Sequence, residues 1–241
     1  MTAQEKWAYD KYKKALDSQY ATAIANIYLD GEASVGWIKP DAVRGAYTEV
    51  WPAVSYTQGK KTADLVIKGY EILRDPWKAN TLRYLDSVAG KRITEVWNTS
   101  KDLYIKALRE ATVEAAEQGI GIEATQRKIR TLVNDKLSGD INIWRARRIA
   151  QTEVIAAGNF GSVSAIQQMN NDGLVVKKQW KAVPGAKDPR HYPSMDGQIR
   201  EAGQDFNVFG EQLEYPGDPR GSAGNVINCR CAVQPYVEDK L

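Results

Sequence analysis

Apolar side chains recur at three- and four-residue spacing through most of the chain up to about residue 170, and at two-residue spacing only after residue 174. From Gln4 to Leu29 one stripe runs through Tyr12, Leu16, Tyr20, Ile24 and Ile27, with Lys and Asp between, and Asp30-Gly31 closes the predicted helix. From Gly31 to Lys61 the pattern is weaker: Pro40 suits the first turn of a short helix, and Pro52 is expected to end or kink it. Thr62 to Leu73 reads as helix again, and Asp75-Pro76 as the next start. Asn80 to Gln118 predicts almost unbroken helix, with a candidate break at Ala89-Gly90. Its buried stripe is expected at Ile93, Val96, Trp97, Leu103, Tyr104, Ala107, Leu108 and Ala111. Glu123 to Val133 makes a short helix. No period of about 20 to 50 residues repeats, which excludes a solenoid.

A further helix is expected from a cap at Asp140 to about Asn170, with Ile141, Trp144, Ile149, Ile155, Val163 and Ile166 as its apolar stripe. The period then changes. Asn171-Asp-Gly173 is a turn, and Leu174 to Val183 alternates as a strand, with Val176, Lys178, Trp180 and Ala182 on one side. Asp196-Gly197 signals another turn before a strand from Gln198 to Glu201. Phe206 and Phe209 are expected to pack inward from a loop, and Cys231 to Val237 closes as a strand broken at Pro235. The pattern therefore predicts a mainly α N-terminal region of long amphipathic helices, residues 1–137, and a small α+β C-terminal domain, residues 138–241, with short strands and long loops.

Charge changes this picture little. The 33 basic and 30 acidic side chains leave a net charge of +3, so no global basic field demands a nucleic-acid partner. Mean hydropathy is −0.49 and no apolar run approaches about 18 residues, so no membrane partner is expected. The N-terminal MTAQEKWAYDKYKK lacks the charged-then-apolar layout of an export signal. Two Cys one residue apart do not readily close a disulfide on each other, and synthesis in a reducing cytoplasm fits.

Chemistry-bearing residues crowd between Lys178 and Val233. That stretch holds the only His, both Cys and five of the nine Pro. Cys229, Cys231 and His191, with Asp188 or Asp196, are ligand types that suit zinc, although Cys-x-Cys is not the usual finger spacing. The alternative is structural: Cys229 and Cys231 pack a core while Asn228 and Arg230 hydrogen-bond the loop. A Cys–His nucleophile pair is formally available, but no third orienting group stands out, and there is no Gly-rich phosphate loop, HExxH or GxSxG. On the preceding helix, Arg148, Thr152 and Asn159 lie at spacings of four and seven. They are either a solvated polar edge, with Arg145, Arg147 and Arg148 in water, or the pins that hold the helix to the strands and loops C-terminal to it.

Several landmarks fall in a familiar order: Arg145-Ala-Arg-Arg-Ile-Ala-Gln-Thr-Glu153, Trp180, Asp188-Pro-Arg190-His191, Asp196-Gly197, Pro216-Gly-Asp-Pro219 and Asn228-Cys-Arg-Cys231. Over roughly residues 140 to 235 the chain resembles the phage Mu F-like minor head (head morphogenesis) protein family. One position departs: the family's His falls five residues before the turn glycine, where this chain has Tyr192, and His191 precedes it. The resemblance implies a non-enzymatic minor capsid protein inside the phage head near the portal, made in the host cytoplasm and acting in head morphogenesis and genome packaging or delivery. It implies the portal protein and the major capsid or scaffold protein as partners, packaged DNA as a further candidate, and no cofactor. Its motif residues here are Arg148, Thr152, Asn159, Trp180, Arg190, Asp196, Gly197, Asp218, Asn228 and Arg230. A metal-dependent enzyme or effector built on His191, Cys229 and Cys231 is the alternative.

Overall fold

The computed structural model describes residues 1–30, 40–118, 142–183 and 192–238, with single positions at 127, 131 and 135. Its elements are α1 (Ala3–Asp30), α2 (Asp41–Val66), α3 (Arg74–Glu117) and α4 (Asn142–Asn171), then β1 (Lys177–Lys181) and a short 3-10 turn (Tyr192–Met195). There follow β2 (Ile199–Arg200), β3 (Phe206–Val208), β4 (Glu211–Leu213), α5 (Ala223–Val226) and β5 (Ala232–Tyr236). Long helices followed by short antiparallel strands are the expected fold class. The helix over 123–133, the cap at Asp140, Ile141 and the loop residues 184–191 lie outside the described residues. So do the side chains of Tyr20, Ile24, Ile27, Ile93, Trp97, Tyr104, Ala107, Leu108 and Ala111.

Two compact units emerge from the chain's internal contacts. One comprises Met1–Tyr47 and Gly90–Ala150, the other Thr48–Ala89 and Gln151–Leu241. The division expected near residue 138 falls outside the described residues.

In the first unit, α1 opens with a reciprocal capping box. The Thr2 N–H donates to Glu5 Oε2 at 2.8 Å and the Glu5 N–H to Thr2 Oγ1 at 3.1 Å. Tyr12 and Leu16 of the expected stripe are buried, and Tyr12 meets Tyr47 edge-on with centroids 5.2 Å apart. Arg145, which the solvated-edge reading puts in water, is instead buried. It donates to the Val96 carbonyl at 3.2 Å and Ser100 Oγ at 3.1 Å, so its guanidinium enters the interior with acceptors waiting. Trp144 is exposed rather than buried, because the inward face of α4 here is set by Ala146 and Ala150.

In the second unit, α2 and α4 approach as closely as backbone permits. A Cβ added at Gly161 would stand 2.2 Å from the Ser55 carbonyl oxygen, and one at Gly59 would meet the Trp77 ring at 2.6 Å. Polar groups buried at this crossing are mutually satisfied, with Thr62 Oγ1 donating to Ser162 Oγ at 2.9 Å and Trp51 Nε1 to Glu153 Oε2 at 3.1 Å, and Trp77 Nε1 of α3 donates to Ser55 Oγ at 3.1 Å. Pro52 neither ends nor breaks α2, contrary to expectation. The buried Val50, Trp51, Val54 and Ser55 around it pack well enough to carry one missing backbone hydrogen bond.

The sheet has order β2-β1-β5, all antiparallel, and β3-β4 form a separate hairpin. The register pairs Trp180 with Val233 and Lys178 with Pro235. The expected parity holds, since Val176, Lys178 and Trp180 are all buried while Val175 is exposed. Pro235 does not break β5: the strand lies at the sheet edge, where a missing N–H costs nothing on the open side. Phe206 is buried as expected, but Phe209 is 54% exposed. It is the first of two linking residues in the β3–β4 hairpin, with φ +51° before Gly210 at φ +92°, a turn that throws its ring outward.

Candidate functional site

Two landmark residues of the second unit, Thr152 and Asn159, lie on one face of α4. Thr152, Ala156 and Asn159 follow at four and three residues, hence on one side of the helix, and each receives a different part of the loop layer. Thr152 Oγ1 accepts from the Asn228 N–H at 3.1 Å, and Asn228 adopts a left-handed φ of +59°, a conformation that Asn tolerates better than most residues. Ala156 faces Gly217, whose φ is +82° and where an added Cβ would press on Ala156 Cα at 3.4 Å. Asn159 is the hub. Its Nδ2 donates to the Pro216 carbonyl at 2.8 Å and the Cys231 carbonyl at 3.0 Å, while its Oδ1 accepts from the Val233 N–H at 2.9 Å. One side chain thus satisfies main-chain groups from the Pro216 turn, the Cys pair and strand β5.

Asp218 is fully buried, with its charge met from all sides. Its Oδ2 accepts from the Glu214 N–H at 2.9 Å, Arg220 Nε at 2.9 Å and Arg220 Nη2 at 2.6 Å, and its Oδ1 from the Arg220 N–H at 2.9 Å. Its partner is Arg220, two residues away and outside the motif residues named from the sequence. Arg230 is half-buried, and Arg190 lies outside the described residues. Asp196 acts at the other end of the layer, where Oδ1 accepts from the Ala182 N–H at 3.0 Å. Gly197, at φ +78°, donates its N–H to the Trp180 carbonyl at 2.9 Å, and the Trp180 N–H donates to the Gln198 carbonyl at 2.9 Å. The Trp180 ring is buried edge-on against Phe206 at 5.2 Å.

Arg148 makes a contact of another kind. It is exposed, with its guanidinium over the Trp144 ring at 3.9 Å from the centroid. Cys229 and Cys231 are free thiols, both buried. Hydrogen bonding to Cys229 and burial push the Cys231 thiol well above its ordinary range. Among the described residues no group of three or more His, Cys, Asp and Glu is arranged to hold a metal ion, and His191 is not among them.

Beneath this layer lies a buried polar pair that sequence patterning half announced. Lys178 shares the inward parity of Val176 and Trp180, and its Nζ donates to the Glu214 carbonyl at 2.9 Å while facing the Phe206 ring at 5.3 Å. Burial pulls the Lys178 pKa down, and burial raises that of the Glu214 carboxyl, which accepts from Gln167 Nε2 at 2.8 Å. The Tyr84 and Tyr215 hydroxyls meet at 2.5 Å, and desolvation raises both. This arrangement fastens a loop layer of Gly and Pro turns to a helix. Its donors and acceptors are matched partly to main chain, through Asn159 and Lys178, and partly to one another, as in Gln167–Glu214 and Tyr84–Tyr215.

Comparison with known proteins gives the same order of landmarks a family. The Bacillus subtilis (strain 168) protein named "Uncharacterized protein YqbB" is 33% identical over 101 residues, 40% of this chain and 32% of the relative. The match thus spans about a third of that relative's length. No solved structure matches. The family model described as Phage Mu protein F like protein matches residues 106–234, which include Thr152, Asn159, Trp180, Asp218 and Asn228–Cys231. More than half the chain is covered by that match, and the chain belongs to the Phage Mu protein F like family.

Proposed function

We propose that this phage head morphogenesis protein is a minor component of the head, held inside it near the portal and acting in head assembly and in packaging or delivery of the genome. The observation that carries the proposal is the family match, read together with what the motif residues do. The side chains of Thr152 and Asn159 are committed to main-chain groups, and that of Asp218 to main-chain N–H groups and Arg220, a use suited to a rigid part rather than to turnover. The burial of both thiols, Cys229 and Cys231, fits the same role.

In this proposal the long helices of residues 1–137 dock on the portal and on major capsid or scaffold protein, and residues 138–241 form the Mu F-like domain. Packaged DNA is a further contact. No helix among the described residues is long and apolar enough to cross a membrane. Deleting the gene is the test: heads lacking this chain but containing the portal, with fewer genomes delivered per particle, are the expected outcome. Particles of unchanged composition and infectivity would contradict it.

A further inference from the structure

We propose that Trp144, Arg147 and Arg148 of α4 form a docking surface for an acidic segment of a partner protein, one that sets carboxylates beside an apolar side chain. The three residues follow at spacings of three and four, so they stand together on one side of the helix, within the first unit. All three are exposed. Trp144, at 54%, is the most exposed indole among the described residues, while the inward face of the helix here is made by Ala146 and Ala150.

Of the three landmark residues named on α4, Thr152 and Asn159 spend their polar atoms on main chain. Arg148 does not. Its guanidinium lies over the Trp144 ring, 3.9 Å from the centroid, and that contact holds the charged group in place on a rigid helix. Among the described residues neither Arg147 nor Arg148 makes a hydrogen bond or an ion pair. The N–H donors of both guanidinium groups are thus available, in the planar fork that matches an oxyanion.

The combination of cations and indole selects the occupant. A small anion would meet the arginines but leave Trp144 uncovered, and a convex helix surface has no walls to enclose it. Duplex DNA would bring about two phosphates to two arginines, a salt slope of about −2 against about −10 for a strong binder. The net charge of +3 supplies no wider field to make up the difference. An anionic bilayer takes up a helix through a continuous apolar face, and one indole beside two guanidinium groups is not such a face. An acidic protein segment satisfies both halves: its carboxylates take the guanidinium forks, and a neighbouring apolar side chain covers the indole. Trp and Arg are also the residue types that most often dominate binding between proteins.

The experiment uses the full chain with fluorescent peptides of about 15 residues in two sets. One set tiles the proteins of the purified phage particle, and the other is a degenerate library rich in Glu, Asp, Leu and Phe. Saturable binding by acidic members is expected, about tenfold or more tighter than by the same peptides with Gln for Glu and Asn for Asp. Trp144→Ala and Arg148→Ala should each weaken it by about fivefold or more, with the unfolding transition unchanged because both side chains are exposed. Arg147→Glu combined with Arg148→Glu should abolish it and turn the preference toward peptides with Lys in place of Glu and Asp. Binding by library peptides alone would uphold the surface and count against the head-component proposal, on which only the choice of particle proteins rests. Three results would overturn the inference: no acidic peptide bound in either set, binding that survives both Trp144→Ala and Arg148→Ala, or tighter binding, lost in those variants, of a DNA duplex of about 30 base pairs or of phosphatidylserine vesicles.

Discussion

Asn159 holds three main-chain groups that no other side chain serves in the same way, so its loss should be felt out of proportion to its size. Asn159→Ala leaves the Pro216 carbonyl, the Cys231 carbonyl and the Val233 N–H buried without that partner. At about 1–3 kcal/mol for each unsatisfied group, we expect a loss of about 3 kcal/mol or more in denaturant unfolding. Arg148→Ala, by contrast, removes an exposed ring contact and should stay within about 0.5 kcal/mol. If the two variants unfold alike, the pinning role assigned to Asn159 is wrong. Titration gives a second handle at this scale. Burial raises the folded-state pKa of Glu214 above its usual 4.5, so its contribution to stability is present below that value and is lost as pH rises through the raised one. Glu214→Gln removes that loss, and the difference between wild type and variant should grow from pH ~4.5 upward; a difference independent of pH would contradict the burial of this carboxyl. Thr152 and Asn159 could be read from the sequence because polar residues seven apart interrupt an otherwise small and apolar face. Arg220 could not: its partner is two residues away, and such a pair looks like any surface charge until the turn buries Asp218.

At the scale of elements, the crossing of α2 and α4 is set by glycine. Gly161→Ala would drive a Cβ to 2.2 Å from the Ser55 carbonyl oxygen, a backbone atom that cannot swing away. A loss of about 1–3 kcal/mol is expected in thermal or denaturant unfolding. Gly45 lies in the same helix α2 with nothing within 4 Å of its would-be Cβ, and Gly45→Ala should stabilise by up to about 1 kcal/mol. Equal effects at the two positions would remove the case for a close crossing. The elements whose outcome departed from expectation share a cause. Pro52 and Pro235 were read from local backbone rules, yet packing on α2 and an open sheet edge let each stay inside its element. Phe209 is apolar, which alone predicts an inward ring, but its position in a two-residue turn, declared only by Gly210, decides its direction. Trp144 went outward because a helix face built from Ala packs closer than one built from indole. Long periodic helices and the strand parity at Lys178 and Trp180 needed no such context, and these were legible.

For the whole molecule, the unit that carries the sheet also draws on α2 and the start of α3. Thr62, Trp77 and Tyr84 meet Ser162, Gly59 and Tyr215 there, far apart in sequence and therefore invisible to any pattern along it. A fragment of residues 138–241 lacks those partners. It should unfold at lower denaturant than the full chain and with a shallower transition, as judged by circular dichroism; a fragment as stable as the whole would mean that the sheet and α4 need no support from residues 48–89. The family was accessible from the order of a few landmarks, whereas contacts between residues far apart in sequence were not, because they are made only by folding. The proposed role requires that the chain be a component of the phage head. Quantitative mass spectrometry of washed, nuclease-treated particles tests that most directly. It should find this chain in every preparation, at a small fraction of the abundance of the major capsid protein; particles that lack it altogether would contradict the account.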